Sequence, residues 1–371
     1  MNVPTAIPLA LKIHKLGHLR SRLLLGLGMA LITTLILSAG IGAVEIAPMR
    51  VLELLATPPW STAWNTIASD DSQQAIFQQG MVLWNIRLPR LGLGVLTGAS
   101  LAVSGAAMQA LLRNPLAEPS LVGVSGGAAV FASIGIVLGG AWMADLQGII
   151  GEFALPAFAF IGSLGVTIFI FAIATRQGQT SVALMLLAGI AIGSLCIAII
   201  GLLTFVATDV QMRSLNFWSL GSLGAATWPM VGMVACLSGV SVIVLLRQSA
   251  ALNTLALGEV QAQLLGVSMR RLNRICITCI ALAVGAVVSV TGIIGFVGLV
   301  APHLVRLAVG PDQRLLMPAS ALVGAILVLL SDLLARTMVV PVEIPVGIIT
   351  ALLGVPFFLA LLFRMRSKIG F

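Results

Sequence analysis

Asp332 and Arg336 stand four residues apart inside an apolar stretch, the spacing that puts an acid and a base on one helix face. An acid within a membrane span serves as a proton relay only if its charge can come and go. A basic neighbour one turn away neutralises it, so the pair reads as structural. His303 and Arg306, three apart, fall in another apolar run. Cys276 and Cys279 have the C-x-x-C spacing of redox and zinc sites, but Cys196 and Cys236 are far off and no histidine lies near. All four cysteines sit in apolar runs and read as small packing residues, so no metal site is expected. The three lysines, Lys12, Lys15 and Lys368, do not complete G-x-x-x-x-G-K-[ST]. The chain therefore has no phosphate-binding loop and no catalytic residue of its own, and any ATP hydrolysis belongs to a partner subunit.

The elements that carry these residues are apolar helices. Hydrophobic residues make up 59% of the 371 and charged residues 9%, with a mean hydropathy of +1.12. A soluble domain carries roughly 25% charged residues, so this chain cannot build a polar shell and a lipid bilayer must be its solvent. The formal net charge of +8 comes from bases in short loops between apolar runs, the positive-inside pattern and not a nucleic-acid groove. Ten spans are expected, at 23–44, 88–112, 120–139, 154–174, 182–206, 228–247, 274–291, 293–309, 315–337 and 345–364. Around Thr291–Gly292 the apolar run is nearly continuous, and one bent element there would change the parity of every later span. The run after Arg22 is too long for a signal-peptide core and reads as a retained first helix. The expected layout is a cytoplasmic tail over 1–22, a membrane domain over 23–364 with a cytoplasmic loop at 248–273, and a cytoplasmic tail over 365–371. With both termini inside, 15 bases fall on the cytoplasmic side and 5, Arg50, Arg87, Arg90, Arg213 and Arg336, fall outside.

Two stretches stand out from the apolar background. The first reads IRLPR (Ile86–Arg90), then an apolar helix, RNPLAEP (Arg113–Pro119) and GVSGGA (Gly123–Ala128), with polar ends on both sides of a span. The outer arginines break the charge rule and need a reason to be there; interfacial snorkelling is one, contact with a partner another. The second is the inner loop ALNTLALGEVQAQLLGVSMRRLNR (Ala251–Arg274), with short helices broken by Gly258 and closed by Gly266. Glu259, Gln261 and Gln263 suit docking into a protein groove better than onto anionic lipid.

IRLPR, SGAAMQALLRNPLAEPSLVGVSGGA (Ser104–Ala128), LNTLALGEVQAQLLG (Leu252–Gly266), GIIGFVGLVAPHLVRLAVGPDQRLLMP (Gly292–Pro318) and VEIPVGIITALLGVPFFLALL (Val342–Leu362) come one after another in this order. Together they resemble the permease subunits of type II ABC importers for iron chelates, haem and vitamin B12, a FecCD-like family, over nearly the whole chain. The resemblance implies an all-α membrane fold with ten helices per subunit, a homodimer in a bacterial inner membrane, two cytoplasmic ATPase subunits holding ATP-Mg, and a periplasmic binding protein. It further implies docking of that protein on Arg87, Arg90 and Arg336, although pairing with Asp332 is an equal claim on Arg336. Cytoplasmic gates are implied at Asn114 and Leu116 and at Thr180 and Ser181, and ATPase coupling at Leu255, Leu257, Gly258, Glu259, Gln263, Leu265 and Gly266.

Cargo is marked by a single stretch. ATDVQMRSLNFWSLGSLGAATW (Ala207–Trp228) looks most like the haem branch, and sparse charge in the spans suits a flat, mostly apolar molecule. Haem would pass as substrate, with no cofactor held permanently and no fixed iron ligand in the path. A ferric siderophore or vitamin B12 is the alternative within the family. An ion-coupled transporter acting alone is the alternative outside it, and the shortage of buried titratable groups argues against that.

Overall fold

The computed structural model describes residues 9–369 except 43, 60, 62–63, 65–73, 177–178 and 340–341. Helices dominate: α1 (Leu9–Gly40), α2 (Pro48–Ala56), α3 (Gln74–Val82), α4 (Leu88–Leu111), α5 (Val124–Val137), α6 (Gly140–Ile150), α7 (Ala154–Ala174), α8 (Val182–Val206) and α9 (Asp209–Leu220). They continue as α10 (Trp228–Arg247), α11 (Ser249–Leu255), α12 (Glu259–Leu264), α13 (Met269–Thr291), α14 (Val297–Val309), α15 (Gln313–Thr337) and α16 (Val346–Ile369). A two-residue antiparallel hairpin, β1 (Thr175–Arg176) and β2 (Gln179–Thr180), joins α7 to α8.

Seven stretches among the described residues are long and apolar enough to cross a bilayer, and α5, α14 and α16 are shorter apolar helices. Each of the ten expected spans therefore has its helix. The doubtful pair is resolved as two: α13 and α14 are separated by a non-helical break over 292–296. Gly292, at φ 70°, makes the turn with its backbone against the Trp218 carbonyl, where a side chain would not fit.

The bundle is organised around α4, which packs on α10, α13, α14 and α15. Gly98 of α4 faces Gly324 of α15 with no room for a Cβ on either, and Gly105 meets the carbonyl of Gly298 in α14. Lipid tails provide no hydrophobic drive between helices, so such close backbone approach supplies the packing instead. Two more segments, α8 and α16, lie at the rim and leave large apolar side chains such as Leu187, Ile197, Leu352 and Leu353 exposed. The two ends of α4, the Arg90 end and the Arg113 end, each gather a cluster of polar residues.

Candidate functional site

At the Arg90 end the helix geometry is unusual. Residues Leu83–Arg87 form a π turn, in which the Leu88 N–H reaches back five residues to the Leu83 carbonyl. Pro89 follows; it has no N–H to donate and its ring crowds the preceding turn, which a wider turn relieves. The Trp84 carbonyl is left over, and the Trp228 indole N–H donates to it at 2.9 Å. The outcome is a fixed shelf that carries Arg87 and Arg90.

All three arginines of the sequence-predicted docking set are bonded within the chain. Arg90 is buried; its Nε donates to Asp332 Oδ1 at 2.9 Å, and its Nη1 donates to both Glu343 oxygens at 3.0 and 2.9 Å. Arg336 Nε lies 3.1 Å from Asp332 Oδ2 as an ion pair, at an angle that does not make a hydrogen bond. Its Nη2 donates to the Ser38 carbonyl and hydroxyl, both at 3.1 Å, and its Nη1 to the Ile41 carbonyl at 3.2 Å. Arg87, also buried, donates to the carbonyls of Ala39, Gly40 and Val44. The Ala39 and Gly40 carbonyls belong to the last turn of α1, which lacks intrahelical donors and carries partial negative charge, and Val44 lies just beyond it. Arg87 and Arg336 therefore cap α1, while Asp332 bridges Arg336 to Arg90. The pairing expected at i,i+4 is present, and Arg90 joins it from 242 residues away.

The Arg113 end holds the remaining predicted residues. Asn114 N–H reaches the Gln109 carbonyl and Arg113 N–H reaches the Ala110 carbonyl, a Schellman closure of α4. Asn114 Oδ1 accepts from the Leu116 N–H at 3.0 Å, so Asn114 and Leu116 sit in one braced turn. Thr180 and Ser181 belong to the separate hairpin: the Thr180 hydroxyl meets that of Thr175 at 3.1 Å, and Ser181 caps α8 through the Leu184 N–H. Thr180 and Ser181 line a polar cavity of ≈ 600 Å³ together with Glu259, Gln263 and Asn273. Asn114 and Leu116 do not line it.

The inner loop folds as two short helices, α11 and α12, turned at Gly258 (φ 113°) and closed at Gly266 (φ 87°), where a second Schellman closure forms. The predicted coupling set divides here. Leu255 is fully buried and anchors the unit, whereas Leu257 and Leu265 are exposed apolar side chains. Val260 and Leu264, absent from the predicted set, are equally exposed on α12. Their signal was available: an apolar pair four residues apart, interleaved with Glu259, Gln261 and Gln263.

Two further cavities flank the break at 292–296. One, of ≈ 590 Å³, is lined mainly by apolar side chains of α9, the break and α16, including Leu220, Ile293, Ile348 and Val355. The other, of ≈ 200 Å³, lies between α14, α15 and α16. Phe296 lines both. Among the described residues no ionisable side chain lines either cavity. His303 is buried outside them, edge-on to Phe357 at 5.9 Å, with neither ring nitrogen bonded, and Arg306 turns to Gln109 at 2.8 Å. Glu118, at the end of the loop after α4, accepts from the Phe296 N–H at 3.2 Å. Burial raises the pKa of the Glu118 carboxyl, and hydrogen bonds from Phe296 N–H and the Ser120 hydroxyl oppose that rise. Among the described residues no three His, Cys, Asp or Glu side chains gather as a metal site.

Known proteins share this pattern. The profile of the FecCD transport family matches residues 30–364. The hemin transport system permease protein of Yersinia pestis is 42% identical over 95% of this chain and 98% of its own. A vitamin B12 import system permease protein of Serratia proteamaculans is 35% identical over 98% of this chain and 99% of its own. A solved structure described as an inward-facing conformation of a metal-chelate type ABC transporter superposes with a TM-score of 0.77 at 30% identity, covering 93% of this chain and 99% of that one.

Proposed function

The chain belongs to the FecCD transport family, and from that premise we propose that it conducts haem through the inner membrane from a periplasmic binding protein, as one half of a homodimer. It is a multi-pass permease subunit of a type II ABC importer, and it moves cargo on energy released by separate ATPase subunits. The observation that carries the haem reading is the ≈ 590 Å³ cavity at the helix break, lined mainly by apolar side chains and, among the described residues, by no ionisable group. A flat apolar macrocycle needs such a wall, and fixed iron ligands would slow its release. Over nearly the full length the hemin permease is 42% identical and the vitamin B12 permease 35%, which points the same way.

In this reading the Arg90 end faces the periplasm. Arg87, Arg90 and Arg336 bring +3 and Asp332 and Glu343 bring −2, so the cluster carries +1 and attracts acidic groups on the binding protein. The Arg113 end faces the cytoplasm, where α12 and its flanking turns present Leu257, Val260, Leu264 and Leu265 to a groove on the ATPase. Asn114 and Leu116, with Thr180 and Ser181, form the gates of that side. Closing the ATPases on ATP shifts the balance between outward-open and inward-open states. The exposed apolar faces of α8 and α16 provide the subunit interface.

Cargo is tested by asking which loaded binding protein stimulates ATP hydrolysis in the reconstituted complex. Haem is expected to do so; stimulation by a ferric siderophore or cobalamin instead overturns the assignment. Docking is tested by salt. Raising KCl from about 0.05 to about 0.5 M should lower the affinity of the binding protein by about tenfold, because salt screens the long-range attraction of the cluster's net charge. An affinity indifferent to salt removes the electrostatic role.

A further inference from the structure

Among the described residues only two that are not glycine have positive φ: Arg113 at 51° and Phe296 at 66°. They lie 183 residues apart in sequence, yet one seven-residue loop, 112–118, connects them in space. At its start, Arg113 occupies the left-handed position that closes α4, where glycine fits without strain. An L residue there is strained. Its backbone gains nothing from being arginine, so the reason for the residue lies in its side chain. Arg113 Nη2 is 3.6 Å from Glu259 Oε1, and Glu259 is the first residue of α12.

At the loop's other end, Glu118 accepts the Phe296 N–H at 3.2 Å. Phe296 is the N-cap of α14, and its own left-handed backbone is as unusual for a bulky residue as that of Arg113. The carboxyl oxygen satisfies one of the donors left free at the start of α14. Either protonation state of Glu118 keeps an oxygen for this bond. Between the two ends the chain is stiff. Pro115 and Pro119 restrict it, the Asn114 side chain bonds the Leu116 N–H, and Ala117 is fully buried. Displacing one end of such a segment moves the other. The element it moves, Phe296, is the wall between the ≈ 590 and ≈ 200 Å³ cavities, with its Cβ so close to Gly354 of α16 that no side chain would fit there.

We infer that the Arg113–Glu118 segment is a strap that ties the position of α12 to that of Phe296, so that movement of the ATPase-docking helix resets the wall of the apolar cavity. Arg113 and Glu118 are positioning residues, acting through Glu259 and Phe296. The Arg113–Glu259 pair is half exposed and adds little stability. A weak link is nonetheless enough to bias a two-state element. The strap rests on the reading of α12 as the helix that docks the ATPase.

The test uses the complete complex with its ATPases and binding protein in proteoliposomes, with haem as cargo, and reads haem delivered per ATP hydrolysed. Arg113→Glu and Glu259→Arg alone should each lower that ratio about fivefold, and the double exchange should restore it to within about twofold, since the ion pair is remade with its sense reversed. Glu118→Leu should lower the ratio by a similar factor, and Glu118→Gln, which still accepts from Phe296, should stay within about twofold. Single variants at the wild-type ratio, or a double exchange no better than its parents, overturn the strap, as does Glu118→Leu at the wild-type ratio. If Glu118→Leu does not fold, the surface exchange decides alone. A wild-type complex that shows no ATP-dependent haem uptake rejects the importer reading instead, so the two failures are distinct.

Discussion

The two ends of α4 hold charge in opposite ways. At the Arg90 end, Asp332 is fully buried between two arginines and Arg87 is enclosed by backbone carbonyls. At the Arg113 end, Arg113 and Glu259 are each half exposed, 3.6 Å apart. A buried ion that loses its partner leaves an uncompensated charge, while an exposed one returns to water. The first end is therefore built to hold its charges in place, while the second can break and remake its ion pair at little cost. In the proposed cycle the first would be the platform for the binding protein and the second the link to the ATPase.

The comparison is most open to attack at Asp332. Asp332→Ala should destabilise the chain by about 3–5 kcal/mol, because Arg90 and Arg336 lose a shared carboxylate without access to water. Thermal unfolding in detergent measures it, and a loss below about 1 kcal/mol would mean that the arginine end is wetter than its burial indicates. Glu343 sharpens the contrast, since it binds the same Arg90 from a half-exposed position. Glu343→Gln should cost about 1 kcal/mol or less, Asp332 remaining in place. A cost equal to that of Asp332→Ala would erase the distinction between the buried and exposed partners of Arg90. The smallest effect belongs to Arg113→Ala, where folding stability should change by less than about 0.5 kcal/mol. A larger loss would make Arg113 a structural brace and not a surface link.

Composition and hydrophobic periodicity were enough to identify the ten helices, because each span must satisfy its own backbone in lipid and so writes its length into the sequence. The i,i+4 pair Asp332–Arg336 was legible for the same local reason. Val260 and Leu264 were legible too, although the polar residues around them are the more conspicuous feature of that loop. The other half of the arginine cluster was not. Glu343 reaches Arg90 across 253 residues, and no local pattern marks it as a partner. Nor does the sequence show that Arg87 caps α1, since the acceptors are carbonyl groups that every residue carries.

The sequence by itself determined that the chain lives in a bilayer, roughly where its ten spans lie, and which family its ordered motifs resemble. Those properties depend on residues within a turn or two of one another. Only the tertiary structure decided that three arginines expected to face a partner are first bonded inside the chain, and that one short loop joins a helix at the bundle's end to the wall of a cavity. Both facts are contacts between segments far apart in the chain, set by how α4 packs among its neighbours. Such packing is fixed by shape, through glycines that let backbones touch, and shape in three dimensions is not a property of any one stretch of sequence.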